Sequence, residues 1–362
     1  MKILITGGGG FLGLHLANQA RKNISEKKVE LHLLDIANFD KKDYPDRCFF
    51  YQIDIRNKNK INRLFNKIKP NFVIHSAAAL PLWKKEDIFS TNIEGTKNIL
   101  ESSFKNRVKR VIFVSSTAVY GVPKKHPILE SDPLVGVGPY GESKILAENW
   151  CWHYIKKGLN ITIIRPKTFV GPYRLGVFEI LFDWIYDGKK IPVIGNGENR
   201  YQLLDVSDLV DAIYLFLEKN NQKKFNDVFN IGAEKFKTVK EDLEELFAYA
   251  YKKRKDKEGL KKSSIVKTPA FLVKKALFIF EKLKLSPLYQ WVYDTADKDS
   301  YVSIEKIKKV LNWRPKYSNS DALIRAYQWY LDNYKEIKSN KSGITHRVGW
   351  KQGILGVIKK IM

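Results

Sequence analysis

The sequence predicts an α/β fold, a doubly wound parallel sheet with a smaller, mainly helical C-terminal region, and three observations predict it. Short apolar runs alternate with longer helical patterns over the first two-thirds of the chain, the pattern of strand, crossover helix, strand. The first of these runs leads straight into a glycine-rich turn, Thr6-Gly7-Gly8-Gly9-Gly10-Phe11-Leu12-Gly13. Past Pro166 the alternation gives way to Pro and Gly punctuation and then to helical patterns alone.

In order, strands are expected at residues 2–6, 30–34, 49–53, 71–75, 110–115 and 161–165. Helical patterns at 10–22, 88–105 and 139–157 cross between them. A helix at 206–217 and a strand at 228–231 return the chain to the same sheet. Further helices are expected at 239–251, 269–283, 303–311 and 320–334. The expected division is discontinuous: 1–165 with about 205–232 as a dinucleotide-binding domain, 166–204 with about 233–334 as a substrate-binding domain, and 335–362 as a basic amphipathic tail. The charge run 252–262 is expected as a solvated loop.

Composition narrows the class. The 362 residues are 44% hydrophobic and 28% charged, which excludes wholesale disorder and rod-like folds. Lys and Arg number 64 against 39 Asp and Glu, a net charge of +25 that attracts anions: nucleotide phosphates, an acidic membrane surface or nucleic acid. The two cysteines, Cys48 and Cys151, organise neither a disulfide framework nor a thiolate metal site, and no metal is expected. A reducing cytoplasm fits. No stretch approaches the ~20 apolar residues of a spanning helix, and no export signal precedes the first glycines.

The placement of the glycine turn, between the first strand and the first helix, carries more information than the glycines alone. Gly7 supplies the positive φ of a tight turn, Gly10 lets backbone approach a diphosphate, and Gly13 permits close packing of the helix. The helix start at Phe11 and Leu12 offers unpaired N–H groups to phosphate. Asp35 ends the second strand where a carboxylate would accept from an adenosine ribose, and no Arg follows in 36–39 to receive a 2′-phosphate, so NAD is favoured over NADP. Asp54 and Ile55 would lie near the adenine, with an N-cap role for Asp54 equally open.

Tyr140 and Lys144 are four apart in a helical pattern and share a face. A free phenol, with a pKa near ~10, is a poor base at neutral pH. A neighbouring ammonium and a positive nicotinamide ring would lower it. The helix bearing the pair follows the strand whose end carries Ser115-Ser116-Thr117-Ala118-Val119-Tyr120-Gly121, and ligands of open α/β sheets bind at such ends.

These pieces resemble the extended short-chain dehydrogenase/reductase family, the NAD-dependent epimerase/dehydratase group, whose dinucleotide-binding part is of Rossmann type. The resemblance runs to about residue 334. It rests on the Thr-Gly-x-x-Gly-x-x-Gly turn, His75-Ser76-Ala77-Ala78, Thr91-Asn92-Ile93-Glu94-Gly95-Thr96, Tyr140-Gly141-Glu142-Ser143-Lys144, Arg165-Pro166, Gly171-Pro172, Gly195-Asn196-Gly197, the segment 205–209 and Leu311-Asn312-Trp313-Arg314-Pro315. It implies Tyr140 as acid/base, Lys144 as holder of the nicotinamide ribose, and Ser116 as hydrogen-bond donor to the reacting oxygen. It implies Ala77, Ala78 and Asn92 beside the cofactor, although Asn92 could equally satisfy local backbone.

Departures from the family pattern narrow the chemistry. Members that eliminate water carry an acidic pair after the catalytic Ser/Thr, whereas this chain has Thr117 and Ala118. Epimerase or simple dehydrogenase readings gain accordingly. Thr168 replaces an Asn that meets the substrate diphosphate, and Tyr201 takes the place of a phosphate-binding Arg, with Arg200 one residue away. A one-residue slip on extended chain turns a side chain to the opposite face. The expected substrate contacts are therefore Thr117, Thr168, Arg200 and Tyr201. The first functional expectation is an NAD-dependent nucleotide-sugar epimerase, and the alternative is a dehydrogenase or reductase of a steroid-like or lipid-linked hydroxyl. A sensor or nucleic-acid-associated protein is the contrasting class, but no RNA-binding motif or aromatic stacking array is present.

In the tail, Trp350, Ile354, Val357, Ile358, Ile361 and Met362 fall on one helical face with Gln352, Lys359 and Lys360 opposite. That face either lies in a membrane interface or docks on the parent domain or a second subunit of a homodimer. Residues 269–283, also apolar and Lys-bearing, are expected as core packing, with one wall of a lipid-binding site as the alternative.

Overall fold

In a computed structural model, residues 1–23, 29–219, 223–254, 261–283, 285–286, 288, 290–339 and 352–362 are described. The sheet strands are β1 (Lys2–Thr6), β2 (Glu30–Asp35), β3 (Cys48–Gln52), β4 (Phe72–His75), β5 (Arg110–Val114), β6 (Ile161–Pro166) and a last strand, Val228–Ile231. All seven are parallel, in the order last strand, β6, β5, β4, β1, β2, β3. The strand order reverses between β1 and β4, which opens a crevice at their carboxyl ends.

Period-two alternation divides the core. Ile3 and Ile5 of β1 join one apolar layer with the helices Phe11–Asn23 and Val206–Glu218, and Leu4 joins the other with Lys58–Ile68, Thr96–Lys105 and Gly138–Lys156. Each fully buried aliphatic contributes roughly 1.5–3 kcal/mol, so the two layers rather than helix propensity hold these helices. The 88–105 pattern is interrupted: Lys85–Phe89 passes through a π-helical turn, Ser90–Gly95, before Thr96–Lys105.

A third apolar cluster joins Val177–Tyr186, Val239–Arg254 and Asn319–Asp332. Two short parallel pairs, Ile191–Ile194 with Ile265–Thr268 and Phe169–Val170 with Leu204–Asp205, add strand to this otherwise helical region. Val302, Ile304, Ile307, Leu311 and Trp313 pack instead on the first sheet layer, so the 303–311 helix belongs with the sheet core. The start of the charge run, Lys252 to Arg254, is helical rather than loop, and residues 255–260 of it lie outside the described residues.

Two apolar stretches behave differently from expectation. Ala270–Lys282 buries only Leu277 among its residues, and Phe271 and Leu272 are 75% and 62% exposed. It is therefore not core, and none of it lines the main cavity. In the tail, Trp350 lies outside the described residues, and the helix begins at Ile354 after Gly353 with φ +55°. Leu355, Ile358 and Met362 pack on the third cluster. Gln352 and Lys359, expected on the solvent side, face the protein: Gln352 Nε2 donates to Asp183 Oδ2 at 2.6 Å, and Lys359 Nζ pairs with Asp183 and Asp187 at 2.5 and 2.6 Å. The break at Gly353 takes Gln352 off the helix, and the buried Asp183 together with the exposed Asp187 draws the lysine inward. Val357 is left exposed. Among the described residues no helix is long and apolar enough to cross a membrane.

Candidate active site

A cavity of about 820 Å³ crosses the crevice at the ends of β1, β4, β5 and β6 and continues into the helical region. At one end it is lined by Asp35, Ile36, Ala37, Asp54, Ile55 and Arg56, and then by Gly7, Gly10, Phe11, Leu12 and Ser76 to Ala79. Ser116, Thr117, Tyr140 and Lys144 line its middle. Pro166 to Phe169, Val177, Phe178, Leu181, Tyr201, Leu243, Val292 and Leu323 surround the far end.

The first end fits a dinucleotide by its backbone. Gly7 has φ +71°, and a Cβ there would stand 2.8 Å from Ala77 N. At Gly13 a Cβ would meet Gly7 O at 2.4 Å, so this glycine lets the helix close on the turn itself rather than on the sheet. A Cβ at Gly10 would lie 3.3 Å from Gly7 O, the tightest neighbour it meets. Asp35 is held by backbone donors, Gly9 N to Oδ2 at 2.9 Å and Ala37 N to Oδ1 at 3.1 Å. Each carboxylate oxygen retains lone-pair capacity for a ribose diol at the cavity wall. Asp54 accepts from Arg56 N and pairs with the Arg56 guanidinium at 2.6 Å, and Asn57 is the N-cap of the following helix, so the N-cap alternative for Asp54 does not hold.

Asn92 stands behind this wall. Its Oδ1 accepts from Ala79 N at 2.8 Å, and its Nδ2 donates to Ala79 O at 3.2 Å and to Ser143 Oγ at 2.9 Å. It is 1% exposed and does not line the cavity, so it braces the Ala77–Ala79 wall against the residue preceding Lys144. His75, fully buried between the Thr6 and Thr96 hydroxyls at 2.6 and 2.9 Å, is drawn down to about 3 by burial and stays neutral.

Ser116 caps the short 3-10 turn Thr117–Tyr120, accepting from Ala118 N at 3.1 Å. Burial pushes the Tyr140 phenol up to about 12, and a hydrogen bond with Ser116 acts against it. Lys144 Nζ donates to Val114 O at 2.9 Å and sits 4.9 Å from the Phe113 ring centre. Burial draws its pKa down to about 8. The ammonium thus takes the nearest buried acceptor, and the expected lowering of the Tyr140 pKa by Lys144 is not seen in this arrangement.

Beneath the trio lies a buried ion pair that sequence reasoning missed. Glu148, one turn after Lys144, accepts from Arg165 Nε and NH2 at 2.9 and 2.5 Å and from Ser115 Oγ at 2.5 Å. Arg165 NH1 also donates to Tyr120 Oη at 2.8 Å. The network ties the Tyr140 helix to β5 and β6. The i, i+4 spacing placed Glu148 on the Lys144 face of the helix, but nothing local marked Arg165, 17 residues on, as its partner.

At the far end Thr168 Oγ1 and Tyr201 Oη lie 3.2 Å apart, both on the cavity. Arg200 is not brought there: its guanidinium lies 4.8 and 5.0 Å from the Phe236 and Tyr301 rings, and the cavity lining excludes it. Arg200 bridges to Thr238 while Tyr201 bridges to Ser300, so the alternation of extended chain turns only one of them inward. Two cations unnoticed in the sequence line the cavity instead. Arg174, after the Gly171-Pro172 turn, stands 5.1 Å from the Phe11 ring, and Lys167 follows β6.

Comparisons with known proteins agree with this geometry. The profile of the NAD dependent epimerase/dehydratase family matches residues 3–232. An uncharacterized protein, y4nG, of Sinorhizobium fredii is 31% identical over 98% of this chain and 85% of its own length. The UDP-glucose 4-epimerase of Lactobacillus helveticus is 27% identical over 92% of this chain and 98% of its own. The crystal structure of a UDP-glucose 4-epimerase with UDP-glucose, from Thermotoga maritima, superposes with TM-score 0.72 at 25% identity, covering 92% of this chain and all of that one.

Proposed function

Because this chain belongs to the NAD dependent epimerase/dehydratase family, we propose that it is an NAD-using nucleotide-sugar epimerase. NAD, the family's cofactor, supplies a reversible hydride acceptor beside the sugar. The observation that carries the reading is the intact trio Ser116, Tyr140 and Lys144 on a cavity continuous with the glycine cradle, with Thr117 and Ala118 in place of an acidic pair. With the positive nicotinamide ring and the Lys144 ammonium beside it to draw the phenol down from the value that burial gives it, Tyr140 would take the proton of a ring hydroxyl. Ser116 donates to the resulting carbonyl oxygen. Lys144 holds the ribose side of the site, and Asn92 and Glu148 keep that helix in register. After the keto sugar turns, Tyr140 would give the proton back to its oxygen as the bound cofactor's hydride reached the other face. The screen that tests this incubates the purified protein with UDP-hexoses and follows isomer formation and NADH together. Isomerisation without NADH release is expected, and stoichiometric NADH release makes the enzyme a dehydrogenase.

A second reading has its own support. Phe271, Leu272, Phe278, Ile279 and Leu283 are exposed, with Lys275 and Lys282 also at the surface. Such a surface suits the interface of an anionic bilayer and, with it, a lipid-linked substrate. Cosedimentation with anionic vesicles that is lost in Phe271→Ser/Leu272→Ser supports it, and equal partitioning of both proteins removes it.

A further inference from the structure

We infer that Lys167 is the anion anchor of the substrate end, taking a carboxylate or phosphate oxygen of the bound sugar nucleotide. This inference rests on the nucleotide-sugar reading. Lys167 directly follows β6, and its backbone N–H is fixed on Ile231 O at 2.8 Å. The side chain is 3% exposed. Its ammonium donates to Ser300 Oγ at 2.6 Å and stands 4.8 Å from the centre of the Tyr201 ring, on the cavity with Thr117 and Thr168.

No carboxylate among the described residues reaches within 4.0 Å of that ammonium. The contrast with Arg165 is sharp, since Arg165 is equally buried and has Glu148 on two of its nitrogens. An ammonium with three donors and a single hydroxyl partner is costly to bury in its charged form. Burial brings Lys167 down to about 7. An anion arriving in the cavity restores the charge by supplying the missing partner. The titratable and charged groups around it are His126, Tyr201, Lys298 and Asp299. His126 is itself lowered by burial, with Asp299 acting against that and Lys167 reinforcing it. With Arg200 turned to the opposite face, Arg174 and Lys167 remain on the cavity, and Lys167 is the one beside Tyr201, whose hydroxyl meets Thr168, where the charge expected at Arg200 would act.

Calorimetric titration of the NAD-loaded, full-length protein with UDP, UDP-glucose and UDP-glucuronate tests this in wild type, Lys167→Met and Lys167→Arg. If the anion is a sugar carboxylate, UDP-glucuronate binds at least about tenfold tighter than UDP-glucose, Lys167→Met erases the difference and Lys167→Arg keeps it. If it is the diphosphate, Lys167→Met weakens all three ligands about equally, UDP included. Either result supports the anchor and identifies its partner. In both, wild-type affinity falls above pH ~7, by at most tenfold per unit, because the neutral lysine must first take up a proton, and the Lys167→Met profile is flat. Identical affinities and pH profiles in wild type and Lys167→Met overturn the inference while leaving the nucleotide-sugar reading intact. Failure of wild type to bind any of the three overturns that reading, and the inference falls with it.

Discussion

The cofactor end of the cavity is walled by backbone, whereas the substrate end is walled by side chains. At the first, Gly7, Gly10 and Gly13 bring main chain so close that no Cβ fits at Gly13, and even Asp35 is oriented by two backbone N–H groups. At the second, Phe178, Leu181, Tyr201, Leu243, Val292 and Leu323 converge from widely separated segments, with Lys167 among them. Backbone walls tolerate little variation in shape, while side-chain walls can be rebuilt one residue at a time. The contrast assigns a shared cofactor to one end and specificity to the other. The proposed catalytic trio sits at the junction, and its variants probe the comparison most strongly.

Tyr140→Phe removes the proposed acid/base while keeping the ring. A loss of about 10²–10⁴ in kcat is expected. NAD affinity should hardly change, because the hydroxyl that is lost partners Ser116 and not the glycine cradle. A parallel loss of NAD affinity would mean that the two ends are not separable at this residue.

Glu148→Ala strands the Arg165 guanidinium in the core. Breaking a buried pair by removing one partner costs about 3–5 kcal/mol, read as a lower urea midpoint of unfolding. The variant should also slow turnover at saturating substrate, because the pair joins the Tyr140 helix to β5 and β6. Unchanged stability would show that Ser115 and Tyr120 suffice to hold the strands and helix together.

At the cofactor end, Gly13→Ala should cost about 1–3 kcal/mol of stability through overpacking. It should weaken NAD binding more than it alters KM for the sugar. An equal change in both would erase the division between the two ends.

How much of this was legible in the sequence follows the same division. The glycine turn, Asp35 and the positions of the strands along the chain could be read because tight backbone requires glycine and because buried parallel strands are continuously apolar. Arg200 and Tyr201 were both expected on the substrate, and the two-residue period of extended chain turns only Tyr201 to the cavity. What could not be read depends on contacts distant in sequence. The pairing of Glu148 with Arg165 joins a helix to a strand. Lys359 turns inward because Asp183 and Asp187, more than 170 residues earlier, lie beneath it. The solvent position of Phe271 is likewise set by what fails to pack over it, and local periodicity carries no information about that.

The smallest effect separates two neighbours. Tyr201→Phe removes the hydroxyl that lies 3.2 Å from Thr168 Oγ1 on the cavity wall. A net hydrogen bond is worth about 0.5–1.5 kcal/mol, so KM for the sugar nucleotide should rise roughly two- to tenfold with kcat little changed. Arg200→Ala removes a charge from a protein of net charge +25, but from the face that stacks on Phe236 and Tyr301. Its KM should stay within about twofold of wild type, and a cation–π loss of ~0.5–1 kcal/mol should appear in stability instead. If Arg200→Ala raised KM more than Tyr201→Phe, the guanidinium would have to swing into the cavity when substrate binds. The substrate end would then be a wall that rearranges around its ligand, in contrast to the fixed backbone cradle at the other end.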